Sequence, residues 1–149
     1  MKREVTILIA EDDDGHALLI ERNLKRAGIV NDIMRFKNGG DTLDFLQRKG
    51  AGPRRKPGEG YLLLLDIRMP GIDGVEVLRQ VKADEELKKM PVIMITTTDD
   101  PREVATCHQL GCSNYVTKPI DYDKFVDVVM KLGLFLLVVE VPAINGKSA

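Results

Sequence analysis

The chain has 149 residues, with 22 lysines and arginines against 23 aspartates and glutamates and a formal net charge of −1. That length suits one domain with one substantial core, and the even charge balance supplies neither a nucleic-acid footprint nor a polyacidic tail. Cys107 and Cys112 have no metal-ligand spacing, no signal peptide precedes them, and the apolar run Leu132 to Val139 falls far short of the ~18 residues of a membrane span, so a soluble cytoplasmic protein with reduced thiols is expected.

"EVTILIA" reads as a short β-branched strand, and "EDDDGHALLIERNLKRAG" follows as a helix with Ala17, Ile20, Leu24 and Ala27 at helical spacing and Gly28 as its stop. "DIMRF" is a weaker strand, and the helix around "DTLDFLQRKG" turns Leu43 and Leu46 inward. The run "RKGAGPRRKPGEG" concentrates Gly, Pro and basic residues, and predicts a solvated loop whose Arg54, Arg55 and Lys56 are available to an acidic partner. "YLLLLDI" is the most apolar strand. "DGVEVLRQVKAD" follows it as a helix bearing Val75, Leu78 and Val81. "PVIMIT" gives a fourth strand, and "DPREVATCHQLG" a helix with Pro101 suited to its first turn. After the strand "NYVT", a last helix from about Asp121 keeps Phe125, Val128, Val129, Leu132 and Leu136 on the 3.6-residue period. This alternation predicts an α/β fold, a doubly wound five-stranded parallel sheet with helices on both faces. One domain over residues 1–149 is expected, with a core of about 4–134 and an extension of about 135–149.

In such a sheet every strand delivers its C-terminal end to one edge, where ligands bind. Glu11, Asp12 and Asp13 end the first strand, Asp66 the third, Thr96 the fourth and Lys118 the fifth. Taken singly, an Asp here caps a helix, as Asp13 or Asp14 does for the first, a strand Thr is β-branched filling and a Lys is solvated. Jointly they conflict with stability, because carboxylates about 4 Å apart repel by about 4 kcal/mol at an effective dielectric near 20. Lys118 offsets part of that charge, and the acidic excess of Glu11, Asp12 and Asp66 offers the hard oxygen ligands that suit Mg2+. With cations beside it, the Asp66 carboxylate is a plausible nucleophile for covalent phosphoryl transfer, with Thr96 placed to donate to a product oxygen.

The runs "ILIAEDD", "LLLLDIRMPGIDG", "PVIMITT" and "GCSNYVTKP", in this order and spacing, resemble the receiver domain of two-component response regulators over roughly residues 4 to 134. The resemblance implies a flavodoxin-like strand order 2-1-3-4-5. It implies that Asp66 accepts a phosphoryl group from the phosphohistidine of a sensor histidine kinase, with Mg2+ as cofactor. Asp12 would bind the metal directly, Glu11 mostly through water, and Arg68 through its backbone carbonyl. Lys118 would pair with the phosphoryl group, and the Lys118-Pro119 bond would be cis. Thr96 and Tyr115 would form the switch, Thr96 swinging toward the acyl phosphate and Tyr115 turning inward behind it. Thr97, Arg68 and Thr98 depart from the commonest family pattern around the site and leave the phosphoryl lifetime open. Asp13 and Asp14 either sharpen metal dependence or cap the helix.

The basic loop, the "TTT" after the fourth strand and "LVVEVPAING" are similar to small single-domain regulators that partner phytochrome-type kinases. "LFLLVVEV" is apolar almost throughout, and reads either as a homodimerisation surface or as a segment folded back over the chain's own sheet. With no effector domain following, output is expected through a downstream protein or a change in assembly. An aspartate-nucleophile phosphatase is the first rival; such enzymes carry a second Asp two residues after the nucleophile, where this chain has Arg68. The second rival is a receiver-like interaction module that is never phosphorylated. The resemblance favours self-catalysed phosphotransfer and autodephosphorylation over a dedicated enzyme.

Overall fold

The structure is a computed structural model and describes residues 5–118, 121–125 and 127–128. In chain order it contains β1 (Val5–Ala10), α1 (Asp14–Arg26), β2 (Ile33–Phe36), α2 (Gly39–Gln47), β3 (Gly60–Leu65), α3 (Gly74–Ala83), a 3-10 turn (Leu87–Lys89), β4 (Val92–Thr96), α4 (Pro101–Leu110) and β5 (Asn114–Thr117). Residues 122–125 and 127–128 are helical, as expected where the last helix opens. The expectations for Val129, Leu132, Leu136, the Lys118-Pro119 bond and the stretch 134–141 lie outside the described residues.

All five strands are parallel, in the order β2-β1-β3-β4-β5. Side chains alternate across the sheet, so the central strands feed two separate cores. Leu8, Ala10, Leu63 and Leu65 pack with Leu43 and Leu46 of α2, Val77, Leu78 and Val81 of α3, and Cys107 of α4. Ile7, Ile9, Leu62 and Leu64 pack on the other face with Ile20 and Leu24 of α1 and with Phe125. The leucine run of β3 is thereby explained: two leucines face each way, and each fully buried one contributes roughly 1.5–3 kcal/mol.

On α3 the inward face is Val77, Leu78 and Val81, whereas Val75 is half-buried at its margin. Val77 lies four residues before Val81 and Leu78 three, so all three share one face of the helix. Ala27 is likewise only partly buried, because α1 ends at Arg26 and the chain turns away through Gly28 at φ 89°. The basic loop differs from expectation at one residue. Arg55 is buried, its Nε donating to the Leu46 carbonyl at 2.7 Å and its backbone amide to Phe45 O at 3.1 Å, so it anchors the loop to the end of α2. Arg54 and Lys56 remain exposed.

Each helix that leaves the C-terminal edge of the sheet starts on a side-chain cap: Asp13 accepts from His16 N, Asn38 from Asp41 N, Asp73 from Glu76 N and Asp100 from Arg102 N. Both cysteines are free and buried, and burial pushes the Cys107 thiol up to about 11, which keeps it protonated and unreactive at neutral pH.

Gly74 sets how closely α3 approaches the end of β3. A Cβ there would lie 2.0 Å from the Asp66 carbonyl oxygen and 2.7 Å from its carbon, while the Gly74 amide donates to Ile67 O at 2.9 Å. Gly74→Ala must therefore push the helix off the backbone that carries Asp66. The expected cost is on the order of 1–3 kcal/mol, read as a lower urea midpoint at unchanged m-value. A wild-type midpoint would show that α3 can shift without penalty.

Candidate functional site

β1, β3, β4 and β5 bring Glu11, Asp12, Asp66, Thr96 and Lys118 to one edge, as the strand-end argument anticipated. One carboxylate oxygen each from Glu11, Asp12 and Asp66 lie within 4.8 Å of one another. Glu11 and Asp66 are buried and Asp12 is exposed, so the cluster opens to solvent on the Asp12 side. Lys118 sits between the two buried acids: its ammonium donates to Glu11 Oε1 and, at 3.3 Å, to Asp66 Oδ2. One ammonium cannot neutralise three carboxylates, and the surplus is hard oxygen of the kind that binds a small divalent cation.

Glu11 is tied at both oxygens, Oε1 by Lys118 and Oε2 by the Asp13 amide at 3.1 Å. Burial pushes its carboxyl above the usual range, against the opposing pull of the Lys118 hydrogen bond. Asp66 Oδ1 faces the Arg68 amide at 3.4 Å. Thr96 is fully buried and its Oγ1 has no hydrogen-bond partner among the described residues, a cost that a native fold rarely leaves without a use. Tyr115 donates its hydroxyl to the Thr98 carbonyl at 2.8 Å, and burial pushes the phenol up to about 12, so it stays a donor. Thr97 is exposed at the rim.

Asp13 and Asp14 divide their roles. Asp13 caps α1, and the His16 amide holds its carboxyl below the usual range. Asp14 pairs with Arg35 Nη1 at 2.6 Å, and that hydrogen bond lowers its carboxyl too. Neither belongs to the three-carboxylate cluster.

Two contributors were not singled out in the sequence. Arg35, opposite Ile9 on β2, donates from Nε and Nη2 to the Glu11 carbonyl at 3.0 and 2.7 Å and so fixes the backbone beneath the acids. Its position in the C-terminal half of a strand beside β1 was the available signal. His16, in the first turn of α1, brings Nδ1 to 3.1 Å from the Lys118 ammonium and 3.9 Å from Glu11 Oε1. Helix starts point at this edge, which makes first-turn residues candidates as well.

Comparisons with known proteins agree with this geometry. Residues 7–130 match the family model described as the response regulator receiver domain. Response regulator Rcp1 of Synechocystis sp. is 30% identical over 134 residues, covering 88% of this chain and 88% of that protein. The crystal structure of its Mn(2+)-bound form has a TM-score of 0.74 and covers 93% of this chain and 99% of that one. A response regulator receiver domain from Rhodospirillum rubrum has a TM-score of 0.79 at 41% identity, covering 95% of this chain and 99% of that one. The bacteriophytochrome response regulator RtBRR has a TM-score of 0.72 at 30% identity, covering 94% and 84% respectively. The flavodoxin-like order of the strands, the acidic edge and the match over most of the chain lead to one assignment: this chain belongs to the response regulator receiver domain family.

Proposed function

We propose that the chain is a stand-alone receiver that takes a phosphoryl group from a sensor histidine kinase onto Asp66 and relays the signal through protein contacts. The observation that carries this reading is the setting of Asp66. Its carboxylate is buried at the end of the central strand, with Lys118 Nζ 3.3 Å from Oδ2 and the Thr96 hydroxyl, unpartnered among the described residues, at the end of the neighbouring strand.

In the transfer, an Asp66 oxygen attacks phosphorus, the N–P bond of the donor phosphohistidine breaks, and an acyl phosphate forms while the imidazole leaves. Lys118 exchanges part of its contact with Asp66 for a new phosphoryl oxygen, which charge-assisted hydrogen bonding favours. Thr96 gains the acceptor it lacks. Asp12 and Asp66 would hold Mg2+, with Glu11 at one remove and the Arg68 backbone carbonyl completing the protein's share; the ion supplies charge neutralisation at the phosphoryl oxygens. Movement of Thr96 pulls on the β4–α4 loop, to which Tyr115 is bonded through Thr98 O, so the face around α4 and β5 is the output.

A kinase of the phytochrome type is the partner we favour, since the bacteriophytochrome response regulator RtBRR is among the proteins this chain resembles. Association of two copies through residues 134–141 and a cytoplasmic location are part of the same reading and rest on the sequence; no helix among the described residues is long and apolar enough to cross a membrane. Arg68, in place of the acid that hydrolases of this type use, speaks against a phosphatase. Incubation with acetyl phosphate and Mg2+ should add one phosphoryl group by intact mass, and a chelator should prevent it. Steady phosphate release from varied phosphomonoesters would favour the phosphatase instead.

A further inference from the structure

Beside the acceptor, a second cluster joins the loops that follow β3 and β4. Glu103 Oε2 receives the Thr98 hydroxyl at 2.7 Å and Arg68 Nη2 at 3.1 Å. Arg68 lies two residues after Asp66 and Thr98 two residues after Thr96, so one carboxylate oxygen ties together the residues flanking the acceptor and the buried hydroxyl. The same Thr98 carries the Tyr115 hydroxyl on its carbonyl at 2.8 Å.

Glu103 occupies the first turn of α4, where a glutamate ordinarily serves the helix by reaching back to the N-cap amide. Here the amide of the N-cap, Asp100, goes to Thr98 Oγ1 at 3.3 Å. The Glu103 carboxylate is left for the two loops, and with its side chain 27% exposed it is less screened than the 62% exposed Arg68 it binds. Meanwhile the Asp66 side chain is only 7% exposed, so how readily a phosphoryl donor reaches it depends on how the loops flanking it are held. Lys118 has to stay for charge balance. The tie across the β3 and β4 loops is the part that can give.

We propose that Glu103 is a positioning residue for phosphoryl transfer at Asp66: by clamping Arg68 to Thr98 it straps the rim and slows both entry and loss of the phosphoryl group. The inference rests on the reading of Asp66 as the acceptor. In the forward step the Asp66 oxygen attacks phosphorus and the donor's bond to phosphorus breaks. In the return, water attacks phosphorus, the bond from phosphorus to the Asp66 oxygen breaks, and inorganic phosphate and the free carboxylate result. Both steps need an in-line approach through the same rim, so loosening the strap speeds both.

The test measures the rate of label gain from acetyl phosphate with Mg2+, and of label loss after donor removal, in wild type, Glu103→Gln, Arg68→Gln and the double variant. Gln at 103 keeps a hydrogen-bonding residue at the helix start while removing the charge that binds Arg68. Glu103→Gln should gain and lose the phosphoryl group about threefold faster or more, the scale of a partly exposed ion pair. The double variant should be no faster than the faster single one, because both substitutions cut the same tie. Rates in Glu103→Gln equal to or slower than wild type, or effects that multiply in the double variant, overturn the proposal. Labelling that persists in Asp66→Asn would instead remove the acceptor assignment on which it rests, and the two failures are told apart by that control.

Discussion

Asp66→Asn should abolish Mg2+-dependent labelling by acetyl phosphate, to below the detection limit of intact mass measurement, while leaving the fold in place. Asparagine matches aspartate in size and keeps an acceptor for the Arg68 amide, which stands 3.4 Å from Oδ1. What it lacks is the anionic oxygen that attacks phosphorus and a negative charge to share in holding a cation. The neighbouring acids do not substitute for it. Glu11 has both oxygens committed, to Lys118 and to the Asp13 amide, and Asp12 is at the exposed side of the cluster. Stability should change little or rise, since one of three mutually repelling carboxylates is gone. Undiminished labelling of the variant would move the acceptor elsewhere.

Lys118→Met should cost on the order of 3–5 kcal/mol in the presence of a chelator, the second large effect. The Lys118 side chain is 5% exposed and contacts Glu11 and Asp66, whose side chains are 1% and 7% exposed. Methionine fills the space of the stem but leaves two buried carboxylates facing each other with no cation. Denaturation in urea gives the measurement. Mg2+ should stabilise the variant more than it stabilises the wild type, because the cluster it binds is then without a competing ammonium. A variant as stable as wild type in chelator, or an equal gain from Mg2+ in both, would contradict the charge-balance account of this edge.

Much of this was legible in the sequence for a physical reason. Parallel strands with return helices leave no choice about which edge collects the strand ends, so Glu11, Asp12, Asp66, Thr96 and Lys118 could be brought together on paper. The run Leu62 to Leu65, apolar at every position, marks a strand covered on both faces, and both cores use it. What was not legible depends on side chains crossing between elements. Arg35 bonds Glu11 O across 24 residues, and Glu103 joins Arg68 across 35, and no local period encodes either contact. Arg55 shows the same limit. Its neighbours in the loop are basic and exposed, and only the nearby end of α2, with a carbonyl to satisfy, explains why it turns inward. The 3-10 turn at Leu87–Lys89 lay hidden in a charged segment; it forms because Asp84 accepts from the Glu86 and Leu87 amides while Lys82 reaches the Lys88 and Met90 carbonyls.

The central claim is that the phosphoryl group resides on one carboxylate at the end of β3. Borohydride reduction of the acetyl-phosphate-treated protein converts an acyl phosphate to the corresponding alcohol, and peptide mass spectrometry then locates it. The account predicts homoserine at position 66 and unmodified Glu11 and Asp12, with no conversion when Mg2+ is withheld; reduction at another acid, or none at 66 in a protein that carries the label, would contradict it.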